Sequence, residues 1–182
     1  MTPYTAHAAA LCLALIGTPV LAQTAEPPKP AGPPQAPAGG TPEKIPFGLP
    51  YGAPITYEQA KTILAAAEAE AKKRGWPMNI SVVDTHGELV HFARLDGAQL
   101  ASIRISQNKA RTAARWRRES RVFFNFYAAG SNYYGTLDPD LAASPGGIPL
   151  VADGKVIGAI GCSGGTGDQD ALICQAGAEA LK

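Results

Sequence analysis

Met78-Asn-Ile-Ser-Val-Val-Asp84, then Thr85-His-Gly-Glu88, then Leu89-Val-His-Phe-Ala-Arg94, reads as a β-hairpin. Met78, Ile80 and Val82 fall on one face of the first strand, and Asn79, Ser81 and Val83 fall on the other. Alternation with period two is the pattern of a strand with one face toward a core. The polar, glycine-containing turn leads into a second strand that puts His91 on the face of Leu89 and Ala93. Asp96-Gly97 ends the unit. A hairpin commits the sheet to antiparallel pairing.

Working outward, residues 148–151 and 155–162 form a second hairpin around Ala152-Asp153-Gly154, a tight-turn signal. A helix is expected over 56–75. Thr56 and Gln59 have capping-box spacing, and Ala60, Ile63, Leu64, Ala67 and Ala71 make a stripe at helical period. Lys72, Lys73 and Arg74 suit the negative end of its dipole, and Gly75 stops it. Further helices are expected over 98–116, 120–129 and 168–181, the last capped by Asp168, with an irregular stretch over 131–147. The order helix, hairpin, two helices, hairpin, helix gives an α+β fold rather than a doubly wound nucleotide fold.

The first fifty residues differ from the rest of the 182. Residues 8–16 are apolar, and Val20-Leu-Ala22 ends in small residues at the positions a signal peptidase reads. Residues 1–22 are therefore expected to be a removable signal peptide, too short in its apolar core to span a bilayer. Residues 23–50, rich in Pro, Ala and Gly, are expected to be a disordered linker, because they bury too little surface to offset their ordering entropy. Residues 51–182 form the one domain. This organisation places the protein in the periplasm or outside the cell, without stable membrane insertion. Sixteen Lys and Arg against fifteen Asp and Glu give a net charge of +1, which with export argues against nucleic acid.

Cys12 lies in the expected signal peptide, leaving Cys162 and Cys174. Cys174 sits on the stripe Ala171, Cys174, Ala178 and Leu181, where a buried, inert thiol is the plain reading. Export permits a disulfide between the two, if the fold brings their Cα atoms within about 7 Å; the sequence leaves this open.

Asp84-Thr-His-Gly-Glu-Leu-Val, Arg94-Leu-Asp-Gly-Ala98, Lys109-Ala-Arg-Thr-Ala113, Gly146-Gly-Ile-Pro149 and Gly154-Lys-Val-Ile-Gly-Ala-Ile-Gly161, with Gly167-Asp-Gln-Asp170 and Cys174, resemble the GlcG/HbpS haem-binding family. The resemblance covers residues 51–182. It implies a profilin-like α+β fold with a central antiparallel sheet of about five strands flanked by helices. It also implies homo-oligomers from dimer to octamer, and haem as ligand.

Candidate site residues follow. A neutral imidazole is a good iron ligand, so His86 at the turn tip and His91 in mid-strand are the candidate metal ligands. Thr112 is a candidate hydroxyl ligand. Seven basic residues from Arg104 to Arg121, including Lys109 and Arg111, face only one acid, Glu119. Arginine pairs bidentately with carboxylates, so this cluster suits haem propionates or a small carboxylate ligand; a solvated helix face or an oligomer interface is the alternative. Gly164 to Gly167 could present N–H groups to an anion, but Asp168 and Asp170 would repel it, and a strand-to-helix turn is the simpler reading. Phe123, Phe124, Phe126, Tyr127, Tyr133 and Tyr134 cluster in sequence, the phenylalanines as core or contact residues and the loop tyrosines as candidate lining of a flat ligand. Three functions fit: an exported haem binder, an enzyme on a small organic acid using Asp84, His86 or Asp96 for protons, and a ligand-free oligomeric sensor partner.

Overall fold

The computed structural model describes residues 48–181. The expected signal peptide, and all of the expected linker except residues 48–50, lie outside the described residues. The elements are α1 (Tyr57–Arg74), β1 (Asn79–Asp84), β2 (Leu89–Arg94), α2 (Ala101–Trp116), α3 (Arg121–Ala128), a short 3-10 turn (Tyr133–Thr136), β3 (Gly147–Ala152), β4 (Lys155–Ser163) and α4 (Gly167–Ala178). The four strands form one antiparallel sheet in the order β2-β1-β4-β3. The two hairpins thus lie side by side, joined through β1 and β4.

About five strands were expected and four are present. The segment before α1 runs beside β4 but makes only a single bridge, Tyr51 to Val156. Gly52 and Ile55 donate to Val156 and Ile157, and Val156 donates to Pro50. Pro50 and Pro54 have no N–H to give, so the ladder cannot extend.

The two faces of the sheet are built differently. On one, Ile80, Val82, Ile148, Leu150, Ile160 and Cys162 pack against Ile63, Leu64 and Ala67 of α1 and Ile173 of α4. Each fully buried isoleucine there contributes about 1.5–3 kcal/mol, so most of the hydrophobic stabilisation lies on this side. The other face is thin. Val83 and Ala159 meet Ala110, Ala113 and Ala114 of α2. A Cβ on Gly161 would run into the Ser106 carbonyl and the Ala110 nitrogen, and one on Gly147 into the Lys109 carbonyl. Small residues therefore let α2 lie almost on the strands. A buried hydrogen bond, Ser81 Oγ to Ser106 Oγ at 2.8 Å, helps pin it there.

Local signals account for most helix ends. Thr56 and Gln59 form the expected capping box, and Gly75 closes α1 in the left-handed region at φ 67°. α2 begins at Ala101 rather than at residue 98. Ala98 closes a turn onto Leu95 before the helix starts, and Ser102 and Ile103 make short-range bonds in its first turn. α4 is capped by Thr166 in a second capping box with Gln169, not by Asp168, which instead pairs with Arg121 at 2.8 Å. The buried stripe of α4 is Asp170, Ile173, Cys174 and Gly177.

The plain reading of Cys174 as an inert thiol is corrected: Cys162 and Cys174 form a disulfide, with Cα atoms 5.6 Å apart. β4 and α4 cross at these two residues, which brings them within bridging distance. Around α3, Phe123 is fully buried, while Phe124 and Tyr133 are exposed. Tyr134 stacks on Phe126 at 4.8 Å and meets Trp116 edge-on, so it belongs to this aromatic cluster rather than to an open ligand wall.

Candidate functional site

The site grows from the turn of the first hairpin. Asp84 Oδ1 accepts from the backbone N–H of His86 at 2.8 Å and of Glu88 at 2.9 Å, and the Gly87 N–H donates to the Asp84 carbonyl. Gly87 takes φ 88°, which a side chain would resist. α2 supplies the other half of the brace. Arg111 and Arg115 are one helical turn apart and so share a face. Arg111 Nε donates to the Gly87 carbonyl at 3.1 Å, and Arg115 Nε to the His86 carbonyl at 2.8 Å. Arg115 also lies near Glu88 and Asp140, at 3.8 and 3.6 Å.

This brace holds the His86 side chain out in solvent. Its Nδ1 lies 3.4 Å from Thr85 Oγ1 and 3.8 Å from Asp84 Oδ2. A polar partner at Nδ1 fixes ring orientation and leaves Nε2 available as a ligand. Beside the ring is an open, mainly apolar hollow of about 420 Å³ lined by Tyr51, Gly52, Pro54, Thr85 and His86. Tyr51 is held there from α2: its hydroxyl donates to the Arg115 carbonyl at 2.8 Å, and the Arg117 guanidinium lies 5.2 Å from its ring. A larger hollow of about 490 Å³ lies at the end of α1, lined by Trp76, Arg94 and Asp96 among others, but no His, Cys, Met or Tyr lines it. Chemistry rather than size therefore singles out the His86 hollow.

The sequence candidates divide. His86 and Arg111 come together at the turn. His91 does not join them: it packs edge-on to Tyr57 of α1, with ring centres 5.5 Å apart. A bulge between Val82 and Val83 pairs His91 with Val82 but Leu89 with Val83. Leu89 and His91 therefore lie on opposite faces, not on one as alternation alone suggests. Thr112 is buried, and its Oγ1 accepts from the Ala142 N–H at 2.8 Å.

Lys109 is also buried, its Nζ 2.6 Å from Asp170 Oδ2. Burial pushes the Lys109 ammonium below its usual pKa, and the attraction and hydrogen bond of Asp170 oppose that shift. Asp170 Oδ1 accepts from the N–H groups of Gly164 and Gly165, so the glycine run is a strand-to-helix turn closed by the protein's own carboxylate. Among the described residues, no group of three or more His, Cys, Asp or Glu could hold a metal ion. No described helix is long and apolar enough to cross a membrane. Tyr51 and Asp84 are the members that sequence reasoning missed as parts of the hollow and the brace. The signal for Asp84 was its place at the head of a histidine-bearing turn, where aspartate closes on nearby N–H groups.

Residues 55–179 match the family of HbpS-like haem degrading proteins. The GlcG protein of Escherichia coli K12 is 40% identical over 109 residues, which is 60% of this chain and 81% of that one. A double mutant of Streptomyces reticuli HbpS superposes with a TM-score of 0.67 at 30% identity, covering 84% of this chain and 99% of that one. A PduOC:haem complex superposes with a TM-score of 0.67 at 26% identity, covering 71% of this chain and 96% of that one. The chain belongs to the HbpS-like family.

Proposed function

We propose that this chain is an exported haem-binding protein that takes up haem, or a related tetrapyrrole, in the hollow beside His86. The observation that carries this reading is an exposed imidazole on a braced turn, Nδ1 toward Thr85 and Asp84, next to an apolar hollow rimmed by Tyr51. A flat apolar ring with a metal centre and carboxylate arms asks for such a set: one nitrogen ligand, an apolar wall and cations nearby. His86 would ligate the iron. Arg115 and Arg117, on the neighbouring end of α2, supply positive charge for the propionates. Bound haem would supply an iron that changes oxidation state, which suits haem handling or redox sensing in the periplasm or outside the cell. The likeness to a haem complex of PduOC supports the ligand. Assembly into homo-oligomers, from dimer to octamer, belongs to the same reading.

The small-acid enzyme has less support. Its candidate base Asp84 already has Oδ1 occupied by the backbone N–H groups of His86 and Glu88, which brace the turn.

The test is a hemin titration of the purified protein, read at the Soret band. The wild type should saturate. His86→Ala should lose affinity about tenfold or more, the scale of losing metal-site support, and His91→Ala should stay within about twofold. An absent band, or a His86→Ala curve that overlays the wild type, would overturn the reading.

A further inference from the structure

We infer that the Cys162–Cys174 disulfide is an oxidation-dependent clamp: its closure seats α4 and thereby completes the buried Lys109–Asp170 pair. The domain therefore finishes folding only after a disulfide donor has acted on it. The clamp is independent of haem.

α4 has few apolar anchors. Of its buried residues, only Ile173 is a large apolar side chain; the others are Asp170, Cys174 and Gly177. Gly177 has room for nothing more, since a Cβ there would lie 3.0 Å from the Ile63 carbonyl oxygen and 3.1 Å from the Ala67 Cβ. A helix held by so little apolar area packs weakly by itself. The disulfide supplies what burial does not.

Cys174 stands one turn after Asp170, on the same face of α4. The covalent pin and the ionic pin therefore act on one rigid segment. Their partners are also close together. Cys162 N–H donates to the Gly146 carbonyl at 2.8 Å. A Cβ on Gly146 would lie 2.8 Å from the Asp170 Cβ, 2.9 Å from the Cys162 carbonyl oxygen and 3.2 Å from Lys109 Nζ. The strand end, the Gly146 corner, the carboxylate and the ammonium thus share one closely packed volume. If α4 lifts, Asp170 leaves Lys109, and a buried ammonium without its counter-charge must open to water.

Both cysteines are fully buried in the finished domain. Thiol–disulfide exchange needs one sulfur to approach another, so a donor cannot reach them once α4 is down. Oxidation must precede or accompany docking of α4. In that step Cys162 and Cys174 each lose a proton and together give up two electrons. The two S–H bonds are replaced by one Sγ–Sγ bond, and the donor's disulfide is reduced to two thiols. The donor class is a dithiol–disulfide oxidase, or a small-molecule disulfide such as oxidised glutathione.

The experiment compares the full chain, purified under oxidising conditions, with the same protein reduced by a dithiol in mild denaturant and returned to buffer with the dithiol present. Peptide mapping after thiol alkylation locates free cysteines, and mapping after brief acetylation reads the reactivity of Lys109. The oxidised protein should show no alkylation at Cys162 or Cys174 and a protected Lys109. The reduced protein should acetylate Lys109 about tenfold faster or more, because local opening then governs access. Its melting temperature should fall by about 10 °C, as expected for losing a short disulfide loop. Cys162→Ala/Cys174→Ala, made as a second route to the open clamp, should match the reduced protein. Free thiols at Cys162 or Cys174 in the oxidised preparation, or a Lys109 as protected after reduction as before, would overturn the inference.

Discussion

Lys109 shows how a residue read as a ligand contact can have a structural partner. Its place in a basic helix suggested an anion, and it has one: Asp170, 61 positions away in the chain and 2.6 Å away in space. Nothing local in the sequence announces that pair, because both members look like ordinary charged surface residues. Breaking one side should be costly. Asp170→Asn would leave the Lys109 ammonium buried without its counter-charge and would free the Gly164 and Gly165 N–H groups from a charged acceptor. We expect a loss of about 3–5 kcal/mol in chemical denaturation. Replacing both members, as in Lys109→Met/Asp170→Leu, should cost clearly less than Asp170→Asn alone, since no orphaned charge remains. A double variant no better than the single one would show that the pair's hydrogen bonds, not its charge balance, dominate.

Elements were legible where their signals are local. The period-two alternation of β1, the stripe of α1 and the Asp153-Gly154 turn each lie within a few residues of chain. The failures occur where two local signals compete or where pairing intervenes. Thr166 and Gln169 have the same spacing as Thr56 and Gln59, yet Asp168 stands nearby as an equally good cap by type. The reciprocal box favours Thr166, because it satisfies two backbone donors rather than one. Thr166→Ala should therefore cost about 1 kcal/mol, and Asp168→Ala, which removes an exposed pair with Arg121 and one first-turn acid, about 0.5 kcal/mol or less. Thermal melts of the two variants check the order. The bulge that separates Leu89 from His91 depends on how β2 meets β1, which no single strand encodes. The close approach of α2 to β4 is likewise a property of the pair. Gly161→Ala would set a methyl against the Ser106 carbonyl, and we expect a loss at the upper end of about 1–3 kcal/mol, read by urea unfolding. An unchanged midpoint would mean that α2 shifts freely on the sheet.

At the scale of the molecule, the α+β architecture and the order of elements follow from the two hairpins and the helices between and around them. The asymmetry of the sheet does not. One face is thick with isoleucine and leucine, and the other is covered by a basic helix held by alanine contacts, one serine pair and one buried ion pair. That asymmetry gives α2 its role. Its inner residues, including Lys109 and Thr112, tie the fold together, while Arg111 and Arg115 reach past the sheet to hold the turn that carries His86. The histidine was visible in the sequence. Its hollow was not, because Tyr51 comes from a segment docked by hydrogen bonds to the far end of α2.

A structure of the hemin-loaded protein tests the central claim most directly. Iron bonded to His86 Nε2, with the ring against Tyr51 and the propionates toward Arg115 and Arg117, is the expected result. Iron on His91, or haem bound at any place from which His86 is remote, would contradict it.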